Sequence, residues 1–449
     1  MRTECIDVEM KKDLVKGMRF GVRDVVFLIV VVVIAFAVRV GLTQQFVGLG
    51  AEPDAGAQPD QLDYEMFAWR MASGDGYTLE DGRASARRSP GTSLTLLPVY
   101  WVMGHDYGAA RLWLSLLSAL TVVPMFVTCA IGFKEKLVGG IAALMMGLLP
   151  THAYYALHYV SETPFVLYFA MAVCCAVVGL REGNVLKKKA FWIGLAGVFV
   201  GMAILTRGVL LFAYPILALY VLYLVYLKVR NKKSIASICL LAAVHLGCLS
   251  VVIGPWVVRN VVALGKPALA TNVGHTLWGA NNRLLIDDEV NQGGWIATSV
   301  LSAKVKKLEG NEVETDKQAL NNALEFIFAN PVFIGELCVK KVGALVVPFY
   351  TWHEPENKMA MLMFELGWLV MLPLGLLSIR WLVVSRDPYA VICLVLLLTL
   401  LWTTLFFYGS PRFRDSFLPV TVPLAAYGFY VLVGGLMKKT FRSAEARGA

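Results

Sequence analysis

Charge is what this sequence has least of. Only 16% of its 449 residues are Asp, Glu, Lys or Arg, where soluble domains run at about a quarter. With 57% hydrophobic residues, the chain has too little polar surface to clothe a water-soluble core. The apolar stretches are continuous and do not alternate over segments of about ten residues, which excludes a β-barrel. None of the eight cysteines sits in a CxxC pair, and most fall in apolar runs; Cys174 and Cys175 read as helix packing, with no disulfide framework or thiolate metal site. The first apolar run has no small-residue cleavage site after it, so it reads as an anchor and not as a removed signal. No internal repeat is visible, so the inverted-repeat signature of many transporters is missing. Ionisable groups deep in the apolar runs are nearly absent. Arg39, Arg111 and Glu365 lie near the ends of their runs, within snorkelling reach of an interface. His245 is the main polar residue at mid-depth and reads as structural. Pumps and ion-coupled transporters need intramembrane ionisable groups, and these are missing.

What is present is a series of apolar runs of about twenty residues, long enough to cross a bilayer as helices. The fold class expected is therefore an all-α polytopic membrane protein. About ten spans are expected: Val25–Leu42, Ala109–Gly132, Leu137–Leu157, Pro164–Leu180, Ala190–Thr206, Gly208–Leu227, Ile235–Val258, Met361–Val384, Tyr389–Phe407 and Ser416–Met437. The net charge of +9 does not point to nucleic acid, because the Lys and Arg gather in short loops where they set topology. Lys11, Lys12, Lys16, Arg19, Lys134, Lys136, Lys187–Lys189, Lys228–Lys233, Arg380 and Arg386 mark the cytoplasmic side. Both termini then lie in the cytoplasm of a cell-membrane protein.

The topology turns on Ser93–Gly104 (SLTLLPVYWVMG). It is apolar, but about twelve residues long and interrupted by Pro98, too short for a crossing. A crossing there would put Lys134/Lys136, Lys187–Lys189 and Lys228–Lys233 outside, against the positive-inside rule. It is read as an interfacial segment, and so is Leu337–Tyr350, which carries Lys340, Lys341 and Pro348. Asp316–Ala329 has helical periodicity and stops before Pro331. The chain divides into a transmembrane module over 1–258, whose first external loop (43–108) is polar, an external region over 259–360, and C-terminal spans with a basic tail over 361–449.

The chemistry is expected on the external, non-cytoplasmic face. Short external loops should be poor in Lys and Arg, yet Arg207, Arg412 and Arg414 lie in them, and Arg88 and Arg259 flank predicted membrane edges. Guanidinium is suited to bidentate phosphate binding; ordinary headgroup contacts or carboxylate pairs are the plainer account of any single one. Acidic groups on the same face are Asp60, Asp63 and Glu65 in the first loop and Glu162 in the second. Tyr64 lies one helical turn beyond Asp60, and Tyr64, Phe67, Ala68 and Met71 form an apolar stripe, which predicts a surface helix with an acidic start. Asp60 as a simple N-cap is the alternative. Asp287-Asp288-Glu289 reads as a solvated acidic turn.

The ordered motifs Asp60-x-x-x-Tyr64, Ser73-Gly74-Asp75-Gly76-Tyr77, Arg87-Arg88-Ser89-Pro90-Gly91, Leu149-Pro150, Ser161-Glu162-Thr163, Pro255-Trp256-x-x-Arg259-Asn260, Trp278-Gly279-Ala280-Asn281-Asn282 and Arg412-Phe413-Arg414 resemble the GT-C glycosyltransferases. Within these they look like the family-39, protein O-mannosyltransferase and aminoarabinose-transferase-like group. The resemblance covers nearly the whole chain, although 259–360 is short beside relatives with a large soluble domain. It implies a GT-C-type helical bundle and inverting transfer of a sugar from a polyprenyl-phosphate donor to a lipid, glycan or protein acceptor. On that pattern Asp60 is the base, with Asp63 the fallback. Glu162 orients the acceptor or, with Asp60, holds a divalent metal ion. Arg88, Arg259, Arg412 and Arg414 are donor-phosphate candidates, and Tyr64, His158 and Asn281 line the site. A flippase or transporter of lipid-linked sugars is the competing reading; it accounts for the spans and external arginines but not for the acidic first loop.

Overall fold

The computed structural model describes residues 20–56, 58–182, 185–288, 292–349, 358–385 and 387–447. Lys11, Lys12, Lys16, Arg19, Glu289 and Arg386 lie outside these. Among the described residues all regular structure is helical, apart from an isolated bridge between Thr78 and Ala84. Among the described residues seven helices are long and apolar enough to cross a membrane: Val22–Phe46, Tyr107–Phe133, Glu162–Arg181, Leu186–Thr206, Gly208–Leu227, Lys232–Leu264 and Pro388–Phe406. Each coincides with an expected span. The other three expected spans are present as shorter or broken helices, and the bent pair Glu312–Ala329 and Pro331–Val346 would make an eighth span if taken as one, so by length and composition the described residues show seven or eight spans and the count of about ten is not confirmed. Lys136–Leu148 ends at Leu149, and a short helix restarts at Pro150. Lys358–Leu376 is followed by a separate turn of helix, Ile379–Val384. The apolar part of the last helix covers only Leu418–Gly434.

The break at Leu149 has a chemical cause. Pro150 has no N–H to give the Met146 carbonyl four residues back. Arg39, fully buried, supplies donors instead: to the Gly147 carbonyl at 2.8 Å, to the Met146 carbonyl at 3.4 Å and to Ser118 Oγ at 2.6 Å. Arg39 thus ties three helices together and caps the broken one. Elsewhere helices meet through small residues. A Cβ on Gly197 would lie 2.4 Å from the His245 carbonyl oxygen, so only glycine lets Leu186–Thr206 approach Lys232–Leu264 this closely.

Ser93–Gly104 forms part of a helix, Gly91–Met103, of 13 residues. At 1.5 Å per residue it is about 20 Å long, short of the ~30 Å hydrocarbon core. It packs beside the helix Asp60–Ala72 through Ala68, Leu96 and Tyr100. Its last residues Trp101, Val102 and Met103 are exposed. The two ends of the bundle sort as they must if this helix does not cross. Ion pairs Asp24–Lys136 and Arg181–Asp387 lie at one end. Asp60, Glu162, Arg207 and Arg412 meet at the other. In the later region, Glu312–Ala329 and Pro331–Val346 meet at Asn330-Pro331 with a bend of 107°. The helix expected from Asp316 therefore starts one turn earlier, capped by Asn311.

Candidate active site

Asp60 is the first residue of a helix that runs to Ala72, with Pro59 and not Asp60 at the N-cap. Its carboxylate is engaged by arginine instead. Arg88 Nη2 lies 2.7 Å from one oxygen, and Arg412 donates to the other from Nη1 and Nη2 at 3.3 Å each. Asp63, one turn along, takes Arg88 Nε at 2.8 Å and pairs with Arg87. Arg88 thus spans both carboxylates. Arg412 spans two further elements, because its Nε lies 2.6 Å from Glu162. Glu162 is fully buried in the first turn of its helix, where the helix dipole favours a negative group. Arg207 donates to the same Glu162 oxygen at 2.5 Å. Three loops and the start of a short helix, Pro411–Ser416, thereby converge on one charge network.

The remaining residues expected at the site are distributed unevenly. Tyr64 is buried below Arg88, whose guanidinium sits 6.0 Å from its ring centroid. Burial raises the Tyr64 phenol above its ordinary pKa. His158 is buried against Tyr154; burial and then Arg111 push its imidazole down to about 4, so it is neutral at pH 7. Arg259 does not reach the network. It donates to the backbone carbonyls of Ser85 (2.8 Å) and Tyr77, and its guanidinium lies 4.9 Å from the Trp256 ring. Arg414 points into the bundle, buried between Glu365 and Asp415 at 3.3 Å each. Asn281 is buried too, accepting from Lys341 Nζ at 2.8 Å.

Two contributors stand outside the expected set. Arg207 stood out as an odd external arginine, but nothing in the sequence paired it with Glu162. Glu312 had no sequence signal at all. It accepts from Ser85 Oγ and the Ala86 N–H at 2.7 Å each and from Thr271 Oγ1 at 3.1 Å. With Arg259 it clamps the segment that carries Arg88. Tyr77 adds a third hold, stacked on Phe67 at 4.0 Å and donating to the Arg88 carbonyl at 3.0 Å. The Arg88 guanidinium is held charged: burial lowers its pKa, but Tyr64, Asp60 and Asp63 together raise it above the ordinary arginine value.

Asp60 and Glu162 do not suit a divalent cation in this arrangement. The Arg412 guanidinium lies between them, and among the described residues no three His, Cys, Asp or Glu side chains group as ligands.

Residues 90–264 match the family model of the dolichyl-phosphate-mannose-protein mannosyltransferases. That stretch includes Glu162, Arg207 and Arg259; Asp60, Arg88 and Arg412 fall outside it. No curated protein matches the sequence. Among solved structures, the chain is similar to archaeal oligosaccharyltransferase AglB from Archaeoglobus fulgidus in complex with an inhibitory peptide and a dolichol-phosphate, with TM-score 0.55 and 14% identity over 93% of this chain and 52% of that one. The apo form of the Archaeoglobus fulgidus enzyme gives TM-score 0.53 and 13% identity over 92% and 52%. ArnT from Cupriavidus metallidurans bound to undecaprenyl phosphate aligns at TM-score 0.43 and 15% identity over 90% and 77%. The chain thus spans about half the length of the archaeal structures and shares their transmembrane fold.

Proposed function

We propose that this chain is a membrane glycosyltransferase that moves a sugar from a polyprenyl-phosphate donor to an acceptor at the non-cytoplasmic face. One observation carries the reading: Asp60 and Glu162, from separate loops, are joined through Arg412, while Arg88 holds the other oxygen of Asp60. This is a carboxylate base beside fixed cations. Asp60 takes the proton from the acceptor hydroxyl or amine as that atom attacks the anomeric carbon. The bond from that carbon to the phosphate oxygen breaks, with inversion, and the electron pair leaves with the polyprenyl phosphate. A placed general base contributes roughly 10²–10⁴-fold. Arg88 and Arg412 stabilise the charge gathering on the leaving phosphate. Glu162, held by Arg207, keeps Arg412 aimed.

The resting pairing has a consequence for order. A carboxylate shared by two guanidiniums is a poor base. Donor phosphate competes for Arg88 and Arg412 and loosens their hold on Asp60. The donor lipid therefore binds first, and its binding prepares the base. Family-model similarity over 90–264 and the archaeal fold match support this reading.

The test combines the purified protein with short-chain polyprenyl-phosphate sugars and mass spectrometry of glycolipids and glycans from a deletion strain. The expected result is donor turnover that Asp60→Asn abolishes while donor binding persists, together with loss of one glycan species in the deletion strain. Transport of lipid-linked sugar unaffected by Asp60→Asn would favour a flippase. Unchanged glycans and no turnover of any donor would overturn the reading.

A further inference from the structure

A cavity of about 710 Å³ opens beside the charge network, within the range of ligand pockets, roughly 300–1,000 Å³. It meets the network at Asp63, Arg87 and Arg88. Its walls come from three distant stretches: the clamped loop around Leu79–Ala84, the end of the Lys232–Leu264 helix, and the external region from Thr271 to Val313. The charged groups on its floor already have protein partners. Asp63 is paired with Arg87 and Arg88, and Glu312 is occupied by Ser85, Ala86 and Thr271. The rest of the wall offers Arg83, which pairs with Asp81 at 2.7 Å, and neutral hydroxyl and amide groups from Thr271, Asn272, Thr276 and Thr298. One large aromatic, Trp295, lines it and is 44% exposed. His275 lines it as well, and its Nδ1 is buried without a hydrogen-bond partner among the described residues.

We propose that this cavity is the outer acceptor subsite and that its occupant is the end of a glycan, an inference that rests on the glycosyltransferase reading above. A sugar ring presents hydroxyls around its rim and C–H groups on its faces. Neutral amides and hydroxyls beside one indole match that distribution. A lipid tail would need a continuous apolar lining, and here most of the lining residues are polar or charged. An extended peptide is commonly gripped by pairing to an open strand edge, and among the described residues there is only the isolated Thr78–Ala84 bridge. Contacts to the remote part of a substrate supply the binding energy that positions the reacting atom. The subsite therefore governs acceptor choice.

The test is ligand-observed saturation-transfer NMR on the full-length protein in detergent. The probes are trisaccharides of mannose, glucose, galactose and N-acetylglucosamine, with an unstructured Ser/Thr-rich peptide as the competing probe. At least one trisaccharide should bind, and Trp295→Ala should weaken it about tenfold, the loss of ~1.4 kcal/mol. Trp295→Tyr should retain most of the signal, and Thr276→Val should reduce it in a protein that melts like wild type. A peptide signal that depends on Trp295, or no Trp295-dependent sugar signal, would overturn the proposal. Trp295-dependent sugar binding in a protein that turns over no donor would leave the subsite standing and sink the transferase reading instead.

Discussion

Arg412 and Arg414 stand on the same short helix, Pro411–Ser416, yet belong to different worlds. The Arg412 side chain is 28% exposed and shares itself between Asp60 and Glu162. That of Arg414 is 2% exposed and lies between Glu365 and Asp415, with Trp368 4.7 Å under its guanidinium. Burial pushes the Asp415 carboxyl up to about 6. The first network sets four guanidiniums (Arg87, Arg88, Arg207 and Arg412) against the three carboxylates Asp60, Asp63 and Glu162. It is left partly in water and holds one more cation than anion. The second knot is sealed and serves the packing of the bundle. Chemically similar groups differ in role because one set stays accessible and over-supplied with donors.

Breaking each region separately should show the difference. Asp60→Asn should reduce donor turnover by roughly 10²–10⁴-fold and leave the melting temperature within a degree or two of wild type, since a partly exposed pair contributes little stability. A melting temperature that collapses with turnover would erase the distinction. Arg414→Ala should do the reverse. Removing one member of a buried ion network costs about 3–5 kcal/mol, so expression and thermal stability in detergent should fall steeply, while turnover per folded molecule stays near wild type.

Arg412→Lys gives a milder test of sharing. Lysine is a point charge and cannot present separate N–H groups to Asp60 and Glu162 as a guanidinium does. A lost charge-assisted hydrogen bond is worth about 1.5–3 kcal/mol, so the donor KM should rise roughly 10–100-fold. An unchanged donor KM would mean that Arg412 only braces Glu162.

Much of this architecture was legible in the sequence. Hydropathy located the long spans, and the length of Ser93–Gly104 with Pro98 inside it kept that segment from being taken as a crossing. That one step placed Asp60, Arg88, Glu162 and Arg412 at the same end of the bundle, where the structure joins them. The residues that went elsewhere share a physical reason. Sequence position fixes the depth of a side chain in the membrane but not the side of the helix it leaves from. Residues two apart on a helix point about 200° apart, so Arg412 and Arg414 could not both face the site. Arg259 and Asn281 are taken up by neighbouring backbone and by Lys341. Pro150 carried the signal for the broken helix. Glu312 acts on Ser85 across 227 positions, a pairing that only the folded chain reveals.

His158 offers the finest cut between the two kinds of region, because it is buried yet lies within electrostatic reach of Arg111, Asp54, Arg412 and Glu162. Its imidazole is held down to about 4, first by burial and then by Arg111, from an ordinary 6.5. Between those values the unfolded chain binds a proton that the folded chain refuses. Stability therefore rises with pH through this window: it is fully present above about 6.5 and is lost as pH falls toward 4. From pH 6.5 to 5 the loss should be on the order of 2 kcal/mol, read as a falling melting temperature in detergent. His158→Asn should flatten that dependence. If turnover keeps its pH profile in the variant, His158 belongs with the sealed packing around Tyr154. A shifted acid limb of turnover, with the stability change held apart by assaying only folded protein, would place it with Asp60 and Glu162.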